Sequence, residues 1–333
     1  MTTVLVTDYS WPTLDIEREV LAGVGAGLVV AETGTEDELV ELAGDVDAIL
    51  TCWKPVTARV LEAARLCRTV GRYGVGLDNI DVECATRLGM IVSNVPTFCT
   101  EEVADHTVAL ILGHARKIAQ FAKQTSGGGW DNKEFGGFRR LRDKTVGLVG
   151  FGAIGRAVAH RVQAFGMNVV AYSPSLAGAR EIGGVTFATS LDSLLARADI
   201  LSLHLPANPT TTGIIGAREL GLLPPGAVVV NTSRGALIDE TALVDALERN
   251  DLAGAALDVM VAEPPPQDHP LRHLPTVILS PHAAFISDEA VTDLQHTAAT
   301  NIAAVLRGAL PPHVVNPRAI ESHHARFRPR MAL

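Results

Sequence analysis

The chain has 333 residues and a formal charge of −9, with 47% apolar and 20% charged residues. This composition is typical of a globular protein with room for two domains, and its net negative charge disfavours nucleic acid as a partner. No apolar run reaches the roughly 18 residues of a membrane helix, and the start MTTVLVTDYS has no basic leader, so we expect a cytoplasmic protein without a membrane partner.

The cysteines are widely spaced along the first hundred residues. Cys52, Cys67, Cys84 and Cys99 lie 15 to 17 residues apart. This spacing fits no common zinc or redox motif, so we expect reduced, mostly buried thiols and no metal site.

The first hundred residues alternate short β-rich segments with helical ones. Strands are predicted at 4–8, 47–50, 68–73 and 90–93, and helices at 35–43, 57–66 and 81–88. Apolar strands that alternate with helices indicate a parallel sheet covered on both faces.

The segment 100–123 is predicted to form one long helix between two domains. Thr100 is a suitable N-cap, Glu101 and Glu102 lie in the first turn, and Arg116 and Lys117 come later. The glycine-rich segment 124–144 that follows is predicted to be an irregular arm.

A second series of strands and helices then begins. Strands are predicted at 145–150, 167–173, 198–205, 226–233, 254–259 and 276–282, and helices at 153–165, 190–197, 239–249 and 288–307. Because the last helix follows the final strand, it can return to the first domain. The domains would then be 1–98 plus 290–333, and 99–289. The predicted fold class is α/β, with two doubly wound parallel sheets.

A glycine-rich turn joins the first strand of this second series to its helix, as in Rossmann-like dinucleotide sites. Gly150 permits the tight turn, Gly152 lets a pyrophosphate approach the backbone, and Gly155 lets the helix pack on the strand. Ala153 and Ile154 supply amides at the helix start, where an anion is favoured. A turn with the same glycines but no ligand is the alternative.

The next strand ends on a hydroxyl, not on the carboxylate that usually binds the adenine ribose. Ser173 occupies that position, and Arg180 comes seven residues later. Serine binds the ribose weakly and hardly repels a 2′-phosphate. We expect a narrow preference for NAD(H) over NADP(H).

Three later loops carry the candidate catalytic residues. Arg234 and His282 each follow a predicted strand, and Glu263 lies in a proline-rich loop shortly after Asp258. All three loops begin at the carboxyl ends of strands, where open α/β sheets form their crevices. Taken singly, these residues could equally be a capping arginine, a surface glutamate and a core histidine.

With these motifs the chain resembles the D-isomer-specific 2-hydroxyacid dehydrogenase family, over about residues 45–317. The similar segments are GRYGVGLDNID (71–81), SNVPTFCTEEVADHTVALIL (93–112), NTSRGALID (231–239) and PHAAF (281–285). Within the family, the chain is most similar to the C-terminal-binding-protein-like and phosphoglycerate-dehydrogenase-like branch. The resemblance implies two domains separated by a hinged cleft, and a homodimer in which 124–144 is the dimerisation arm.

The resemblance also implies a catalytic set of Arg234, Glu263 and His282 in an NAD(P)-dependent oxidoreductase. Reducing a 2-keto acid at C2 requires a hydride from the nicotinamide and a proton, which an imidazolium supplies near neutral pH. Glu263 would orient the ring of His282, and the planar fork of Arg234 would bind the substrate carboxylate.

Two further sets of binding residues follow from the same resemblance. On the substrate side, the backbone loop Gly74-Val75-Gly76 would bind the substrate, and Arg72 would bind a second anionic group. Phe285 would form part of the pocket wall. Along the cofactor, besides the glycine turn and Ser173, they are Pro206, Thr232 and Asp258. A tight turn and a surface arginine are the alternatives for the loop and for Arg72.

Two other functions compatible with the resemblance stay open. One is a short-form 3-phosphoglycerate dehydrogenase, a close variant of the same chemistry. The other is a dinucleotide-sensing scaffold similar to the C-terminal-binding proteins, in which catalysis is secondary; the intact set of Arg234, Glu263 and His282 argues against it.

Overall fold

The computed structural model of the chain describes residues 2–176 and 178–327. The chain divides into two compact units, Met1–Phe98 with Ser287–Leu333, and Cys99–Ile286. Each unit is built on one sheet with helices packed against it. None of the described helices is long and apolar enough to cross a membrane.

The first unit contains a five-stranded sheet in which all strands are parallel. Its strands are β1 (Thr2–Val6), β2 (Ala26–Val30), β3 (Ala48–Thr51), β4 (Thr69–Arg72) and β5 (Ile91–Ser93). Their order across the sheet is β2-β1-β3-β4-β5. Its helices are α1 (Asp15–Ala22), α2 (Glu36–Ala43), α3 (Ala58–Ala63), α4 (Val82–Arg87), and, from the end of the chain, α11 (Asp288–Leu306) and α12 (Ile320–Arg326).

This sheet is buried on both faces because helices cover each side. Along β1, Val4 and Val6 point into one apolar cluster, which includes Ile302 of α11. Leu5 points to the other face and packs in a second cluster with Leu61 of α3. The alternation follows from the two-residue period of a strand and explains why β1 is apolar at successive positions.

The second unit contains an eight-stranded sheet. Its strands are β6 (Thr145–Val149), β7 (Asn168–Tyr172), β8 (Glu181–Ile182), β9 (Val185–Phe187), β10 (Ile200–Leu203), β11 (Ala227–Asn231), β12 (Leu252–Leu257) and β13 (Val277–Leu279). Their order is β13-β12-β11-β10-β6-β7-β9-β8, and only the edge pair β8–β9 is antiparallel. Its helices are α5 (Thr100–Ala115), α6 (Ile118–Ser126), α7 (Ala153–Ala164), α8 (Leu191–Leu195), α9 (Ala217–Leu220) and α10 (Glu240–Glu248).

The predicted fold class, two doubly wound parallel sheets, is confirmed. Several short elements were not predicted from the sequence, namely α1, β2, β8, β9, α9 and α12. These are the elements with the weakest local signals: β8 and β9 have two and three residues, and four of the five residues of β2 are only partly buried. Their conformation depends on pairing with a neighbouring strand.

The single helix predicted over 100–123 is wrong. The chain forms α5 and α6 instead, separated by Lys117, whose backbone is left-handed with φ 56° and ψ 33°. Neither glycine nor proline marks the break, and a left-handed backbone is unfavourable for lysine. Burial of Lys117 and stacking of the Arg116 guanidinium on Phe138, 5.7 Å from the ring centroid, accompany the break.

Beyond α11 the chain continues into a last described helix, α12. Helix α12 is held by the ring of His323, whose Nδ1 atom lies 3.0 Å from the carbonyl of Gly89. His323 is buried, so this helix belongs to the first unit. The remainder of the tail, from 328 onward, lies outside the described residues.

Candidate active site

The glycine turn after β6 contains two glycines that the packing itself requires. Gly150 has φ 99°, and a Cβ atom there would lie 2.1 Å from the carbonyl oxygen of His204. A Cβ atom at Gly155 would lie 2.6 Å from the carbonyl oxygen of Gly150. Gly152 differs, because a Cβ atom there would meet no protein atom within 4 Å. The turn therefore leaves open space above Gly152.

Helix α7 begins at this open space. Gly152 is its N-cap, so no side chain covers the first amides, and Gly152 and Ala153 are exposed while Ile154 is partly buried. Free amides and the helix dipole make such an end favourable for a phosphate anion. The residues present thus fit the pyrophosphate of a dinucleotide, which the expected roles of Gly152, Ala153 and Ile154 require.

At the end of the next strand, β7, two hydroxyl groups face each other. The Oγ atoms of Ser173 and Ser175 are 3.0 Å apart, and Ser173 is partly buried. Arg180 lies exposed on the loop that follows. The strand end therefore presents hydroxyls, which can bind a ribose without excluding a 2′-phosphate by charge.

Two other expected cofactor residues lie at the carboxyl edge of the same sheet. Pro206 is exposed in the loop after β10, and its carbonyl accepts a hydrogen bond from Thr211 at 2.7 Å. Thr232 follows β11 and is buried, with its hydroxyl 2.8 Å from that of Thr107 on α5. Thr232 therefore fixes the strand end against α5.

The loop that carries Arg234 is shaped by the last residue of β11. The side chain of Asn231 donates to the carbonyl of Arg234 at 2.8 Å and accepts from the amide of Ser233 at 3.0 Å. Just beyond, a Cβ atom at Gly235 would lie 2.0 Å from the backbone of Met260. The arginine loop and the loop that follows β12 are thus packed backbone against backbone.

Glu263 and His282 form a direct pair. The Nδ1 atom of His282 lies 2.7 Å from Oε2 of Glu263, and the other carboxylate oxygen accepts a hydrogen bond from the Met260 amide at 2.9 Å. Burial favours a higher pKa for Glu263, but hydrogen bonds from His282 and Met260, with the positive charge of Arg234, lower the pKa below its ordinary value. Glu263 is therefore a fixed carboxylate at neutral pH.

The loop that carries His282 is anchored by a buried carboxylate. Asp258, 1% exposed, accepts hydrogen bonds from the Ser280 hydroxyl at 2.5 Å and from the amides of Ala283 and Ala284, both at 2.9 Å. Its carbonyl accepts from the His282 amide at 2.8 Å. These contacts surround His282, whose backbone is left-handed with φ 55°.

Sequence reasoning missed this positioning contact of Asp258, as it missed Asn231, Gly235 and Ser280. The contact of Asp258 with a nicotinamide stays a prediction. His106 on α5 places Nε2 2.9 Å from the Ser280 hydroxyl and so joins the same network. One usable signal in the sequence was the position of Asp258 directly after β12.

Phe285 borders the histidine. Its ring is partly buried, and its centroid lies 6.3 Å from that of His282 at an interplanar angle of 79°. An edge-to-face contact of this kind is favourable for two rings and limits their rotation.

The expected substrate residues of the first unit also lie at a carboxyl strand edge. Arg72 ends β4, is 8% exposed, and places its guanidinium 5.5 Å from the ring centroid of Trp53. Gly74 has φ 141°, and a Cβ atom there would lie 2.2 Å from Nη1 of Arg72. In the rest of this loop, Val75 is exposed and Gly76 partly buried. Gly74 thus provides the space that the Arg72 side chain occupies.

The described residues, 2–176 and 178–327, contain no group of three or more His, Cys, Asp or Glu side chains that could hold a metal ion. The four cysteines are buried and free. Burial raises the pKa of Cys52, Cys67 and Cys99 to about 12, so these thiols are protonated at neutral pH.

Comparison with known proteins gives a consistent result. Residues 108–284 match the family model of the D-isomer specific 2-hydroxyacid dehydrogenase, NAD binding domain. The chain is 40% identical to the D-3-phosphoglycerate dehydrogenase of Methanocaldococcus jannaschii, over 100% of this chain and 63% of that relative. It therefore spans less than two thirds of the length of that relative.

A relative of similar length also matches. The glyoxylate reductase of Aeropyrum pernix is 39% identical, over 87% of this chain and 89% of the relative. Among solved structures, the NADPH-dependent glyoxylate/hydroxypyruvate reductase of Sinorhizobium meliloti, in complex with NADP and malonate, has a TM-score of 0.81 and 28% identity. The match covers 95% of this chain and 98% of the Sinorhizobium meliloti chain. The resemblance inferred from the motifs is confirmed: the chain belongs to the D-isomer-specific 2-hydroxyacid dehydrogenase family.

Proposed function

We propose that the protein is an NAD(P)-dependent D-2-hydroxyacid dehydrogenase that works as a 2-keto acid reductase. One observation carries the proposal: the 2.7 Å contact between His282 and Glu263, at the same sheet edge as the open glycine turn. The second unit would be the dinucleotide-binding domain and the first unit the substrate domain. Membership of the family supports the same reaction class.

The chemistry follows from the side chains. A bound nicotinamide dinucleotide supplies the hydride for C2 of the substrate. With Nδ1 of His282 held by Glu263, proton delivery to the developing alkoxide falls to Nε2 of the same ring. Arg234 binds the substrate carboxylate through its planar fork and adds positive charge beside the reacting carbonyl.

We propose that NAD(H) is preferred to NADP(H) by a small margin. The hydroxyls of Ser173 and Ser175 offer hydrogen bonds to a ribose, and no carboxylate follows β7 to repel a 2′-phosphate. The Sinorhizobium meliloti relative is NADPH-dependent, so the fold is compatible with either cofactor. The two values of kcat/KM, measured with one keto acid, test the preference.

For substrate specificity we propose roles for Arg72, Phe285 and the loop Gly74-Val75-Gly76. The amides of the loop would bind the substrate carboxylate, and Phe285 would limit the size of its side chain. Arg72, stacked on Trp53, would attract a second anionic group. Replacement of Arg72 by alanine should raise KM only for acids that carry such a group.

We also propose a cytoplasmic homodimer in which 124–144 is the dimerisation arm. Within this segment Trp130 is 93% exposed and Phe138 41% exposed, an unusual exposure for large aromatic side chains. Light scattering of the purified protein measures the mass directly. Replacement of Trp130 by alanine should weaken the dimer.

The second candidate is a 3-phosphoglycerate dehydrogenase. The identity of 40% to a protein of that name over the whole chain favours it, and a second anion at Arg72 is compatible with a phosphate. A dinucleotide-sensing scaffold, in which catalysis is secondary, stays the alternative from a different class of function.

One screen separates these functions. NADH oxidation is followed with glyoxylate, hydroxypyruvate, phosphohydroxypyruvate, aryl pyruvates and branched keto acids. Turnover of an unphosphorylated keto acid supports the proposal, and a strong preference for phosphohydroxypyruvate favours the second candidate. Tight NADH binding without turnover of any acid would indicate the scaffold.

A further inference from the structure

A second cavity lies in the unit Cys99–Ile286, away from the candidate active site. It is open to solvent, has a volume of about 40 Å³, and is lined in part by Lys117, Arg139, Lys144 and Asp199. No residue with an expected catalytic, cofactor or substrate role lines it.

The cavity is at the opposite edge of the eight-stranded sheet from the glycine turn. Lys144 directly precedes β6, Asp199 precedes β10 and Gly226 precedes β11, whereas Gly150 and Arg234 follow strands. A five-residue strand spans about 17 Å, so the two edges are separated by about that distance. The cavity is therefore distinct from the site already described.

Lys117 is the most informative residue of this cavity. Lys117 lies in the linker between α5 and α6, and it is 8% exposed. Among the described residues, none forms a hydrogen bond or an ion pair with its ammonium group, and burial alone lowers the pKa of Lys117. The ammonium group itself is in contact with solvent, while the rest of the side chain is buried and lines the cavity. A lysine held in this way can pair with an anion that enters the cavity.

The surrounding charges favour an anion. Lys117, Arg139 and Lys144 are cationic, and one carboxylate, Asp199, pairs with Lys144 at 2.8 Å. His114 adds no charge at neutral pH, because burial lowers its pKa to about 4. The net charge of two positive units matches a dianion.

The chemistry of the side chains favours a phosphate. The guanidinium of Arg139 lies against Gly226, and a Cβ atom at Gly226 would be 2.3 Å from Nη2 of Arg139. The guanidinium can lie there because residue 226 has no side chain. Arginine binds phosphate through two parallel hydrogen bonds, and lysine binds it as a point charge.

We propose that this cavity binds a phosphate dianion, either as inorganic phosphate or as the phosphate group of a small metabolite, with Lys117 as the central cation. The proposal does not depend on the proposed reaction, because the cavity and the candidate active site are at opposite sheet edges. Arg139 and Lys144 do belong to the proposed dimerisation arm, so the mass of the protein is measured beside each titration.

The test measures binding to the full chain saturated with NADH, which would occupy the glycine turn. Inorganic phosphate and glycerol 3-phosphate are titrated by calorimetry and by thermal shift, with potassium chloride at matched ionic strength. Saturable binding of inorganic phosphate, or of glycerol 3-phosphate alone, supports the proposal and identifies the source of the phosphate. If neither ligand binds saturably, the proposal is overturned.

Two variants and a control locate the binding. Lys117→Met keeps the side-chain length and the same left-handed backbone but removes the charge. It should weaken phosphate binding at least about tenfold, a loss of about 1.4 kcal/mol. Lys123→Met, an exposed lysine on α6, should bind as the wild type does. Equal binding by Lys117→Met and wild type would contradict the proposal, because Lys117 would then serve only in packing.

Arg139→Gln provides an independent check if Lys117→Met does not fold. Arg139 is exposed and lies in an irregular segment, so its replacement leaves the core intact. The variant should bind phosphate several-fold more weakly. A wild-type protein that is insensitive to phosphate, but loses its oligomeric state in Lys117→Met, would show instead that a carboxylate of a second copy covers the cavity.

Discussion

The Nδ1 atom of His282 lies 2.7 Å from Oε2 of Glu263, and the second oxygen of that carboxylate is fixed by the Met260 amide. Glu263 therefore cannot rotate without losing a backbone hydrogen bond. The imidazole receives both its orientation and its tautomer from this contact, because one nitrogen faces an acceptor.

Replacement of His282 by asparagine should abolish most turnover while leaving the fold intact. Asparagine tolerates the left-handed backbone at φ 55°, so the loop can keep its conformation. We expect kcat to fall by about 10²–10⁴, the usual contribution of a general acid. NADH affinity and Tm should change little. Turnover equal to that of the wild type would show that another group supplies the proton.

Glu263→Gln should lower kcat by about tenfold to a hundredfold and alter its pH profile, because the amide keeps the size but loses the charge beside His282. The variant should also differ in acid stability. The folded pKa of Glu263 is lowered, so its carboxylate stabilises the wild type above the unfolded pKa near 4.5, and this advantage disappears as the pH falls through the folded value.

Melting temperatures of the two proteins between pH 8 and pH 3 test this sign. Their difference should be constant at neutral pH and vanish in acid. Glu248→Gln is the matched control, since Glu248 is an exposed carboxylate at the end of α10 in the same unit, and this variant should follow the wild type across the range. A pH profile of kcat that is the same in Glu263→Gln and wild type would contradict the positioning role of Glu263.

Asp258→Asn should reduce both stability and turnover. Both carboxylate oxygens accept hydrogen bonds from donors, and the amide nitrogen of asparagine would face one of them. We expect a loss of about 1–3 kcal/mol, which corresponds to a Tm lower by about 2–10 °C. Differential scanning calorimetry measures this shift. An unchanged Tm would mean that the loop of His282 does not depend on this carboxylate.

Two glycines of the same turn should respond differently to alanine. Gly152→Ala should fold normally, because its Cβ meets no protein atom, but should bind NADH at least about tenfold more weakly. Gly150→Ala should be strongly destabilised, since its Cβ would clash with the His204 carbonyl and φ is 99°. Calorimetric titration and thermal melts separate the outcomes. Normal NADH binding by Gly152→Ala would place the pyrophosphate elsewhere.

Mild acid should destabilise the unit Cys99–Ile286 through its buried histidines. Burial lowers the pKa of His204 from 6.5 to about 4, so the ring stays neutral in the folded state and is protonated in the unfolded chain below pH 6.5. Stability is complete above pH 6.5 and falls as the pH approaches 4, by about 3 kcal/mol for this residue.

Urea unfolding at pH 7.5, 6 and 5 tests this dependence. His204→Gln should show a smaller loss in acid than the wild type, whereas His296→Gln, an exposed histidine, should show the same loss. The prediction fails if the wild type and His204→Gln lose the same free energy of unfolding.

The sequence predicts the fold well where local pattern and packing agree. The core strands are apolar at successive positions, so they could be inferred to be buried strands of a parallel sheet. Because Gly150, Arg234 and Asp258 follow these strands, the carboxyl edge of the sheet could be inferred to carry the candidate site. The break at Lys117 could not, because lysine carries no helix-ending signal and the contact of Arg116 with Phe138 that accompanies the break is not local in sequence.

The sequence predicts three candidate catalytic residues, but not the residues that support them. Arg234, Glu263 and His282 stand out because an arginine, a glutamate and a histidine rarely follow the ends of three successive strands. The anchoring of the His282 loop by Asp258 and Ser280 depends on distances between two loops, which no local pattern encodes. The stacking of Arg72 on Trp53 is non-local in the same way.

The close approach of Gly235 to Met260 has a consequence for redesign of this protein. Since those two backbones touch, the loops that carry Arg234 and Glu263 are coupled to each other. Altering the reach of either loop would displace the other. Under the proposed function, new substrate ranges should therefore be sought at Arg72 and Phe285, which lie outside that junction.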